Sequence, residues 1–263
     1  MENKTSSAEI NDNLIFLTND DLNKNIYRVF SFDRLKEIFD HNQITLVKPK
    51  KWDDPFENFI LNSTGVLPDG REFQIGFRDS FYGQCWSLTK ESDAMWRIYS
   101  PNKDGVKVKT TIRKLFTPLF KAGGINQKMN GNFYNLSSFV GKVKYQGTKQ
   151  LITMLKDKER MSNKIFDQSG WGQASSFYFK RWAFRHEHEV RIMYNKHDGH
   201  IDDLFQFDIN PFELIDEIVF DPRMKQEDYE KNKSEIESWG FKNNITQSGL
   251  YKIKSFRIEL NQI

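Results

Sequence analysis

Hydrophobic and polar positions alternate with two different periods along the chain, and together they predict a mixture of strands and helices. The stretch NIYRVFS (25–31) is rich in aromatic and β-branched residues and predicts a strand. In the next stretch, SFDRLKEIFDHN, the apolar residues Leu35, Ile38 and Phe39 have helical spacing. A second strand is predicted at QITLVKP (43–49), which ends at a proline. The chain therefore opens with strand, helix, strand.

The remaining elements continue this mixture, with strands outweighing helices in the second half. Further strands are predicted at FYGQCWSLT, GVKVKTTI, SSFVGKVKYQ, RHEHEVRIMY, IDEIVFDP, NNITQSGL and YKIKSFRIEL. Helices are predicted at KESDAMWRIYS, GTKQLITMLKDKERMSN, ASSFYFKRWAF and KQEDYEKNKSEIESWG. The Gly- and Asn-rich residues 122–135 are predicted to form an irregular loop that covers a site. No internal repeat or linker is visible, which predicts a single α+β domain.

Composition supports one full-sized domain behind a polar arm. The chain has 263 residues, 38% of them hydrophobic, which is sufficient for a large core. Residues 1–24 are predicted as a polar, flexible N-terminal arm, and residues 25–263 as a single domain of catalytic type. Residues 1–13 have neither the basic start nor the apolar run of a secretory signal.

Charge and cysteine content narrow the class of protein. The 39 basic and 36 acidic residues leave a formal net charge of +3, which argues against a dedicated clamp for a nucleic-acid backbone but allows a local basic patch. Cys85 is the single cysteine, so an internal disulfide and a thiolate metal cluster are excluded. No apolar run approaches the length of a membrane span. We therefore expect a cytoplasmic protein with no membrane partner.

The segment RHEHEVRIMY carries several charges on one predicted strand. Because side chains of a strand alternate, Glu187, Glu189 and Arg191 are predicted to share a face. That face should border solvent or a polar cleft, since unpaired charges are costly to bury. An ordinary surface strand with cross-strand ion pairs would show the same pattern. A carboxylate pair in a cleft would instead suit catalysis.

Two earlier strands carry candidate partners for these carboxylates. Arg28 lies between Tyr27 and Val29, and an arginine in such apolar surroundings suits either bidentate binding of a phosphate or a structural salt bridge to one of the glutamates. Ser87 and Thr89 lie on one face of the strand FYGQCWSLT. Alone they are weak signals, because Ser and Thr are common at strand ends.

Three other motifs have a structural interpretation beside a functional one. Trp96 and Tyr99 share a helix face, where such a pair is typical of core but can also form an aromatic wall that stacks on a base or a nicotinamide ring. The acidic turn WDDPFE is more typical of a capped turn than of a metal site, and no metal is predicted. Lys180 and Arg181 suit a phosphate contact or a solvated helix edge.

The order Arg on a first strand, Ser-x-Thr on a middle strand and Glu-x-Glu on a late strand resembles the Arg-Ser-Glu class of ADP-ribosyltransferases, whose fold also opens strand, helix, strand. The resemblance implies an enzyme with an ADP-ribosyltransferase-like fold, in which a split, mostly antiparallel sheet has flanking helices. It also implies NAD-dependent transfer of ADP-ribose to a macromolecular acceptor, either protein or nucleic acid. It requires Arg28 and Glu189 to open onto one pocket from neighbouring strands.

The resemblance also implies roles for individual residues. Cleavage of the bond between nicotinamide and ribose passes through an oxocarbenium-like state, which a carboxylate stabilises electrostatically. Glu189 is implied as the catalytic residue, and Glu187 as the residue that orients the acceptor and can act as a general base. The implied NAD-binding residues are Arg28 for the phosphates, Ser87 and Thr89 for the nicotinamide pocket, and Tyr27, Trp96 and Tyr99. A cleft carboxylate contributes little to the core, so Glu189→Gln is expected to leave folding intact.

Several motifs in combination resemble the bacterial family named domain of unknown function 2971. The resemblance extends from residue 26 onward and rests on an aromatic-Arg pair, D-P-F-E, M-W-x-x-Y and E-x-E-x-R. Asp53 replaces the asparagine that usually precedes D-P-F-E. The family name implies no reaction. Transfer of ADP-ribose by a small cytoplasmic protein would suit a toxin or phage-defence effector with a cognate antitoxin or regulator.

Two alternatives from other classes stay open. One is a nuclease that uses Glu187, Glu189 and an aspartate of WDDPFE to hold a divalent cation. The other is a non-catalytic module in which Arg28 and the pair of Trp96 and Tyr99 recognise a nucleotide or a partner.

Overall fold

The computed structural model describes residues 10–52, 54, 57, 60, 62–124, 126–129, 132–197, 202–253 and 255–259. Its strands are β1 (Leu14–Ile15), β2 (Asn25–Ser31), β3 (Gln43–Val47), β4 (Thr64–Val66), β5 (Glu72–Gln74), β6 (Phe81–Ser87), β7 (Gly105–Thr111), β8 (Asn126–Met129), β9 (Asn132–Asn135), β10 (Ser138–Lys142), β11 (Lys144–Gln146), β12 (Phe179–Arg181), β13 (Glu189–Asn195), β14 (Leu204–Asp208), β15 (Glu217–Phe220) and β16 (Asn244–Gln247). Its α-helices are α1 (Phe32–His41), α2 (Asp93–Tyr99), α3 (Ile112–Lys121), α4 (Thr148–Lys156), α5 (Lys158–Ile165), α6 (Trp171–Ser175), α7 (Pro211–Leu214) and α8 (Gln226–Ser238).

Serine side chains cap the N-termini of the first two helices. The hydroxyl of Ser31 accepts a hydrogen bond from the backbone N–H of Arg34 and so caps α1, which ends at Asn42 in the left-handed conformation. Ser92 caps α2 in the same way, through the backbone N–H of Met95. The predicted opening of strand, helix, strand is confirmed.

Ten of the described strands form one sheet. The main path runs β1-β10-β13-β6-β2-β7-β15-β16, and β14 pairs with β3, which pairs with β6. Only β1–β10 and β15–β16 are parallel pairs within this sheet, so the sheet is mostly antiparallel. This confirms the predicted α+β class.

The sheet divides at β6. One edge of β6 pairs with β13 along its whole length. The other edge pairs with β2 at Ser87–Tyr27 and with β3 at Gly83–Val47, and the pairings leave residues 84–86 without a strand partner on that side. The strands β2 and β3 therefore diverge along β6, as the predicted split sheet requires, and a hollow opens between them.

Strand β13 is buried on both faces. Val190, Ile192 and Tyr194 pack into the larger hydrophobic cluster, whereas Met193, on the opposite face, packs into a second cluster. Arg191 shares the face of Met193 and is completely buried. The prediction that this face borders solvent or a polar cleft is therefore wrong beyond Glu189, the first residue of the strand.

The N-terminal segment departs from the predicted flexible arm of residues 1–24. Leu14–Ile15 pairs in parallel with β10, and both side chains are buried. Ile15 packs into the second hydrophobic cluster. Burial of apolar side chains explains the difference, because residues 14–17 are a run of four apolar side chains that pack against the two hydrophobic clusters. Residues 1–9 lie outside the described residues.

Four other segments differ from their predicted elements. The predicted helix GTKQLITMLKDKERMSN is two helices, because the side chain of Asp157 caps α5 by accepting from the backbone N–H of Arg160. The predicted helix ASSFYFKRWAF divides into the end of α6, a 3₁₀ turn, β12 and the start of a second 3₁₀ helix, Trp182–Glu187. The predicted irregular loop at 122–135 contains the antiparallel pair β8–β9. The described part of YKIKSFRIEL contains no strand, and its side chains are exposed.

None of the helices in the described residues combines the length and the apolar character that crossing a membrane needs.

We expect Ile15→Ala to destabilise the protein by about 2–4 kcal/mol, because it removes buried methyl groups and leaves a cavity in the second cluster. Ile152→Ala, at a position 47% exposed on α4, is the matched control and should change the unfolding free energy by less than about 0.5 kcal/mol. Urea unfolding of both variants measures the difference. A flexible arm at residues 14–15 would instead make the two variants equally stable.

Candidate active site

The hollow beside β6 consists of two cavities that share part of their lining. The smaller measures about 120 Å³ and the larger about 390 Å³. Both are lined by Arg28, Cys85, Tyr99, Glu187 and Glu189. We call the two together the central hollow. A more open cavity of about 1040 Å³, between α3 and β14, is lined by none of the predicted site residues.

Arg28 and Glu189 open onto the same hollow, as the sequence interpretation requires. Their strands are not neighbours, however, because β6 lies between β2 and β13. Ser87 of β6 is in register with Tyr27 on one side and with Glu189 on the other. The predicted adjacency of the two strands is therefore wrong by one strand.

Four buried charged side chains form a closed cycle at one wall of the hollow. Nζ of Lys180 lies 2.8 Å from Oε1 of Glu57 and 2.5 Å from Oε1 of Glu189. The guanidinium of Arg191 completes the cycle through Oε2 of Glu57 at 2.9 Å and Oε2 of Glu189 at 2.7 Å. We call Glu57, Lys180, Glu189 and Arg191 the four-residue ring. Every oxygen of its two carboxylates has a cationic partner.

Neighbouring residues hold Arg191 in place. Its guanidinium lies 4.5 Å from the centroid of the Trp52 ring, and its NH1 donates to the backbone carbonyl of Phe177 at 2.6 Å. Gly83 makes room for Trp52, since a Cβ there would lie 2.9 Å from Cζ2 of the indole. The fully buried arginine thus has partners on its edge and on its face, as a buried charge needs.

Strand β12 brings Lys180 to the ring. It pairs in parallel with β11, which places Tyr145 opposite Lys180. The hydroxyl of Tyr145 accepts a hydrogen bond from the backbone N–H of Glu189 at 2.9 Å, so β11 also holds the first residue of β13. The predicted alternatives for Lys180, a phosphate contact or a solvated helix edge, are both wrong. The side chain is buried and bound to carboxylates.

Glu187 lies outside the strand that the sequence predicted for it. It is the last residue of the 3₁₀ helix Trp182–Glu187, and His188 follows in the left-handed conformation with φ 43°. Its carboxylate contacts Lys180, and its backbone carbonyl accepts a hydrogen bond from the Ser87 hydroxyl at 2.6 Å. Glu187 and Glu189 therefore meet at Lys180 and not through strand alternation.

The surroundings shift the pKa values of Glu187 and Glu189 in opposite directions. Burial, a hydrogen bond with Glu189 and the charge of Glu189 raise the pKa of Glu187 to about 8, and Lys180 offsets only part of this. Burial also tends to raise the pKa of Glu189, but Arg191, the hydrogen bond with Glu187 and Lys180 outweigh it and hold that pKa far below its ordinary value. Near neutral pH, Glu189 is an anion and Glu187 carries a proton for much of the time.

Arg28 is a cation that faces the hollow. Burial lowers the pKa of its guanidinium to about 10, which still leaves the group charged at neutral pH. Among the described residues, no carboxylate lies within ion-pair distance of it, whereas the aromatic ring of Phe30 lies 5.6 Å away. Of the two predicted roles, the structural salt bridge is thus not found in the described part of the chain.

The other predicted site residues divide into two groups. Tyr27, Ser87 and Tyr99 line the hollow. Thr89 lies outside its lining and holds the neighbouring loop, with its hydroxyl 3.2 Å from Nδ1 of His188. Trp96 is fully buried in a core cluster with Val29, Met95 and Val219, so the predicted shared aromatic wall with Tyr99 is wrong.

Sequence reasoning missed the central roles of Glu57 and Lys180. Lys180 stands within the aromatic run FYFKRW, and a cation in such a run has to find buried carboxylates. That signal predicts ion pairing but does not identify the partners. Glu57, 123 positions earlier, became a partner through the fold alone.

The carboxylates of this wall are arranged for ammonium and guanidinium groups. In a two-carboxylate metal site, oxygens converge on the cation. Here Lys180 and Arg191 take the oxygens of Glu57 and Glu189, and Arg181 pairs with Asp54 at 2.8 Å. This arrangement weighs against the nuclease alternative. Asp53, the other aspartate of that turn, lies outside the described residues.

We expect Glu189→Gln to lower the unfolding free energy by about 3 kcal/mol at neutral pH, because it leaves Lys180 and Arg191 with one carboxylate fewer in a buried site. This reverses the sequence-based expectation of intact stability. Glu37→Gln, on the exposed face of α1, is the control and should differ from the parent by less than about 0.5 kcal/mol. Equal unfolding free energies for the two variants would contradict the stabilising role of the ion pairs in the four-residue ring.

A second expectation concerns pH. The native pKa of Glu187, about 8, lies above its ordinary value of 4.5, so its contribution to stability is complete below pH 4.5 and is lost as the pH rises to about 8. Glu187→Gln stays neutral throughout. We expect its stability relative to the parent protein to rise by at least about 1 kcal/mol over that interval, since one pKa unit corresponds to about 1.4 kcal/mol. Thermal unfolding across the interval tests this, and a constant difference would refute it.

Comparison with known proteins gives a family match and several distant structural likenesses. Solved structures similar to the chain include Thermus sp. 2.9 DarT in complex with carba-NAD+, at 14% identity and a TM-score of 0.35, covering 86% of this chain and 96% of that one. Another is Thermus sp. 2.9 DarT in complex with ADP-ribosylated ssDNA, at 13% identity and a TM-score of 0.36, covering 86% of this chain and 94% of that one. At TM-scores below 0.5 these likenesses are too distant to assign a function.

Among curated proteins, none matches the chain. The model of the family described as "Protein of unknown function (DUF2971)" matches residues 95–192, which include the motifs M-W-x-x-Y and E-x-E-x-R. The resemblance to domain of unknown function 2971 that these motifs predict is confirmed over residues 95–192.

Proposed function

We propose that the central hollow binds NAD and that the protein transfers ADP-ribose from NAD to a macromolecular acceptor, either protein or nucleic acid. One observation carries the proposal: the hollow presents an arginine without an ion-pair partner among the described residues, Arg28, and a pair of carboxylates, Glu187 and Glu189. NAD has a matching distribution of charge, with an anionic diphosphate and a cationic nicotinamide ring.

The charges of the hollow favour such a ligand. The four-residue ring contains two cations and two carboxylates and is neutral as a whole. Glu187 adds negative charge to this wall when it ionises. Arg28 adds one positive charge that the described residues do not balance, and a guanidinium binds phosphate oxygens bidentately. A cavity of about 390 Å³ lies within the range of ligand sites.

The fixed carboxylate suits the cleavage step. As the bond between C1′ of the ribose and the ring nitrogen breaks, nicotinamide leaves with the electron pair and positive charge develops on the ribose. Glu189 is held as an anion by Lys180 and Arg191, so its charge needs no reorganisation during the reaction. We assign it to electrostatic stabilisation of the developing cation.

Glu187 suits the transfer step. A nucleophilic group of the acceptor forms the new bond to C1′ and loses a proton, which the ionised Glu187 carboxylate takes up. A pKa of about 8 places this group close to the working range of a general base. Tyr99, which faces the same hollow, stays a neutral hydrogen-bond donor because burial and the two glutamates raise its pKa. Tyr27 and Ser87 complete the proposed NAD-binding set, from which Thr89 and Trp96 are removed.

The acceptor is proposed to approach over the 3₁₀ helix Trp182–Glu187. Phe184 and His186 of this helix line the hollow, and Trp182 is 55% exposed with the guanidinium of Arg185 over its ring. Exposed Trp and Arg side chains are frequent contact residues in macromolecular interfaces. A cytoplasmic toxin or phage-defence role, with a cognate antitoxin or regulator, is part of the same proposal.

The test uses NAD labelled on the adenylate, incubated with purified protein and cell lysate. We expect nicotinamide release and label on protein or nucleic acid. Arg28→Met should weaken NAD binding about 10- to 100-fold, since a hydrogen bond to a charged group contributes about 1.5–3 kcal/mol. Glu187→Gln should retain NAD binding and slow transfer about 100-fold or more.

The control is Arg34→Met, an exposed arginine on α1 outside the hollow, which should leave NAD affinity unchanged. Binding of NAD by every variant except Arg28→Met, without nicotinamide release by the parent protein, would favour the non-catalytic recognition module. The proposal is refuted if the parent protein neither binds NAD nor turns it over.

A further inference from the structure

The four-residue ring balances its own charges, and Glu187 is attached to it as a fifth, unbalanced group. Within the ring, each cation contacts both carboxylates, Glu57 and Glu189. Among the ion pairs of the described residues, Glu187 contacts Lys180 alone. With all five groups ionised, this buried cluster would have one negative charge in excess. Buried excess charge is costly, and binding one proton removes it.

The excess negative charge depends on whether Glu57 is ionised. Its two oxygens take up Lys180 and Arg191, the same cations that hold Glu189. If Glu57 were neutral, the two cations would balance Glu187 and Glu189, and Glu187 could ionise without excess charge. We propose that Glu57 and Lys180 are positioning residues that make Glu187 the carboxyl group of the hollow that carries and releases a proton.

The other titratable groups near Glu187 leave this balance intact. Burial raises the pKa of Cys85, Tyr99 and Tyr145, so all three are neutral near pH 7. Lys51 pairs with Asp203, and Asp54 pairs with Arg181. His186 is exposed at the rim of the hollow. Arg28 is the remaining cation, and in the proposed complex the phosphates of NAD neutralise it.

The chemical consequence rests on the proposed function. Glu187 takes a proton from the acceptor in the transfer step and returns it to solvent, so turnover should rise with pH as Glu187 ionises. Glu57 lines the larger cavity, but both of its oxygens are bound to cations within the ring, so it is not placed to act as the general base. Its effect on the reaction passes through Lys180 to Glu187.

The experiment measures the titration of Glu187 in the free protein by ¹³C NMR of labelled glutamate carboxyl groups, assigned with Glu187→Gln. We expect a midpoint near pH 8 in the parent protein. In Glu57→Gln the midpoint should fall by at least about one pH unit, because the excess negative charge is gone. The pH dependence of ADP-ribose transfer to the acceptor should shift in the same direction by a similar amount.

Asp221→Asn is the matched control, since it removes another buried carboxylate that is paired with an arginine, Arg223, away from the hollow. It should leave the Glu187 midpoint unchanged. An unchanged midpoint in Glu57→Gln, or a parent Glu187 that titrates near 4.5, overturns the inference. If Glu57→Gln does not fold, Glu57→Asp is the second variant. It keeps the negative charge, so the Glu187 midpoint should stay at the parent value. A fall of that midpoint by one pH unit in Glu57→Asp would contradict the inference. A shifted midpoint without any NAD turnover refutes the proposed function and leaves the positioning role standing.

Discussion

The ion pairs among Glu57, Lys180, Glu189 and Arg191 are the constraint on which the rest of the site depends. Four charged side chains are buried here, and each would be strongly destabilising alone, since removing one partner of a buried pair costs about 3–5 kcal/mol. They are compatible with the interior because each carboxylate oxygen meets a cation. The ring also joins Glu57 to Lys180, Glu189 and Arg191, which lie more than 120 positions later in the chain. One wall of the hollow is therefore held by a network of ion pairs, while the opposite wall, around Arg28, has no such network in the described residues.

The split of the sheet explains why this ring borders a cavity. Strand β6 is fully paired with β13, but it pairs with β2 only at its last residue, Ser87, and with β3 only at Gly83. The space between the diverging strands cannot be filled by backbone hydrogen bonds, and side chains from both branches line it instead. Arg28 comes from one branch, and Thr45 and Val47 come from the other. The same divergence that interrupts the sheet thus brings an N-terminal cation and a late carboxylate pair to one hollow.

Sequence patterns predicted the features that depend on neighbouring residues, and they failed for features that depend on contacts between distant parts of the chain. Alternation placed Glu189 and Arg191 on one face of β13, and helical spacing located α1 and α2, because both follow from backbone geometry. Alternation failed at Glu187, since His188 takes a left-handed conformation that ends a 3₁₀ helix there. The partnership of Glu57 with Lys180 joins positions 123 apart, and no local pattern encodes it. The predicted flexible arm was wrong at Leu14 and Ile15 for a similar reason, because these residues pair with β10, more than 120 positions later in the chain.

Two carboxylates in one hollow can have different tasks only if their surroundings separate their protonation states. Each carboxylate oxygen of Glu189 is bound by a cation, so Glu189 stays ionised and does not exchange protons near neutral pH. Glu187 shares a single cation with two other carboxylates and ends a short 3₁₀ helix, so it binds a proton at a higher pH than an ordinary glutamate and can exchange it near neutral pH. A fixed negative charge is suited to a developing cation, whereas an adjustable proton acceptor is suited to an incoming nucleophile. The asymmetry of the ion pairs, more than the presence of two glutamates, is what makes this wall suited to a transfer reaction.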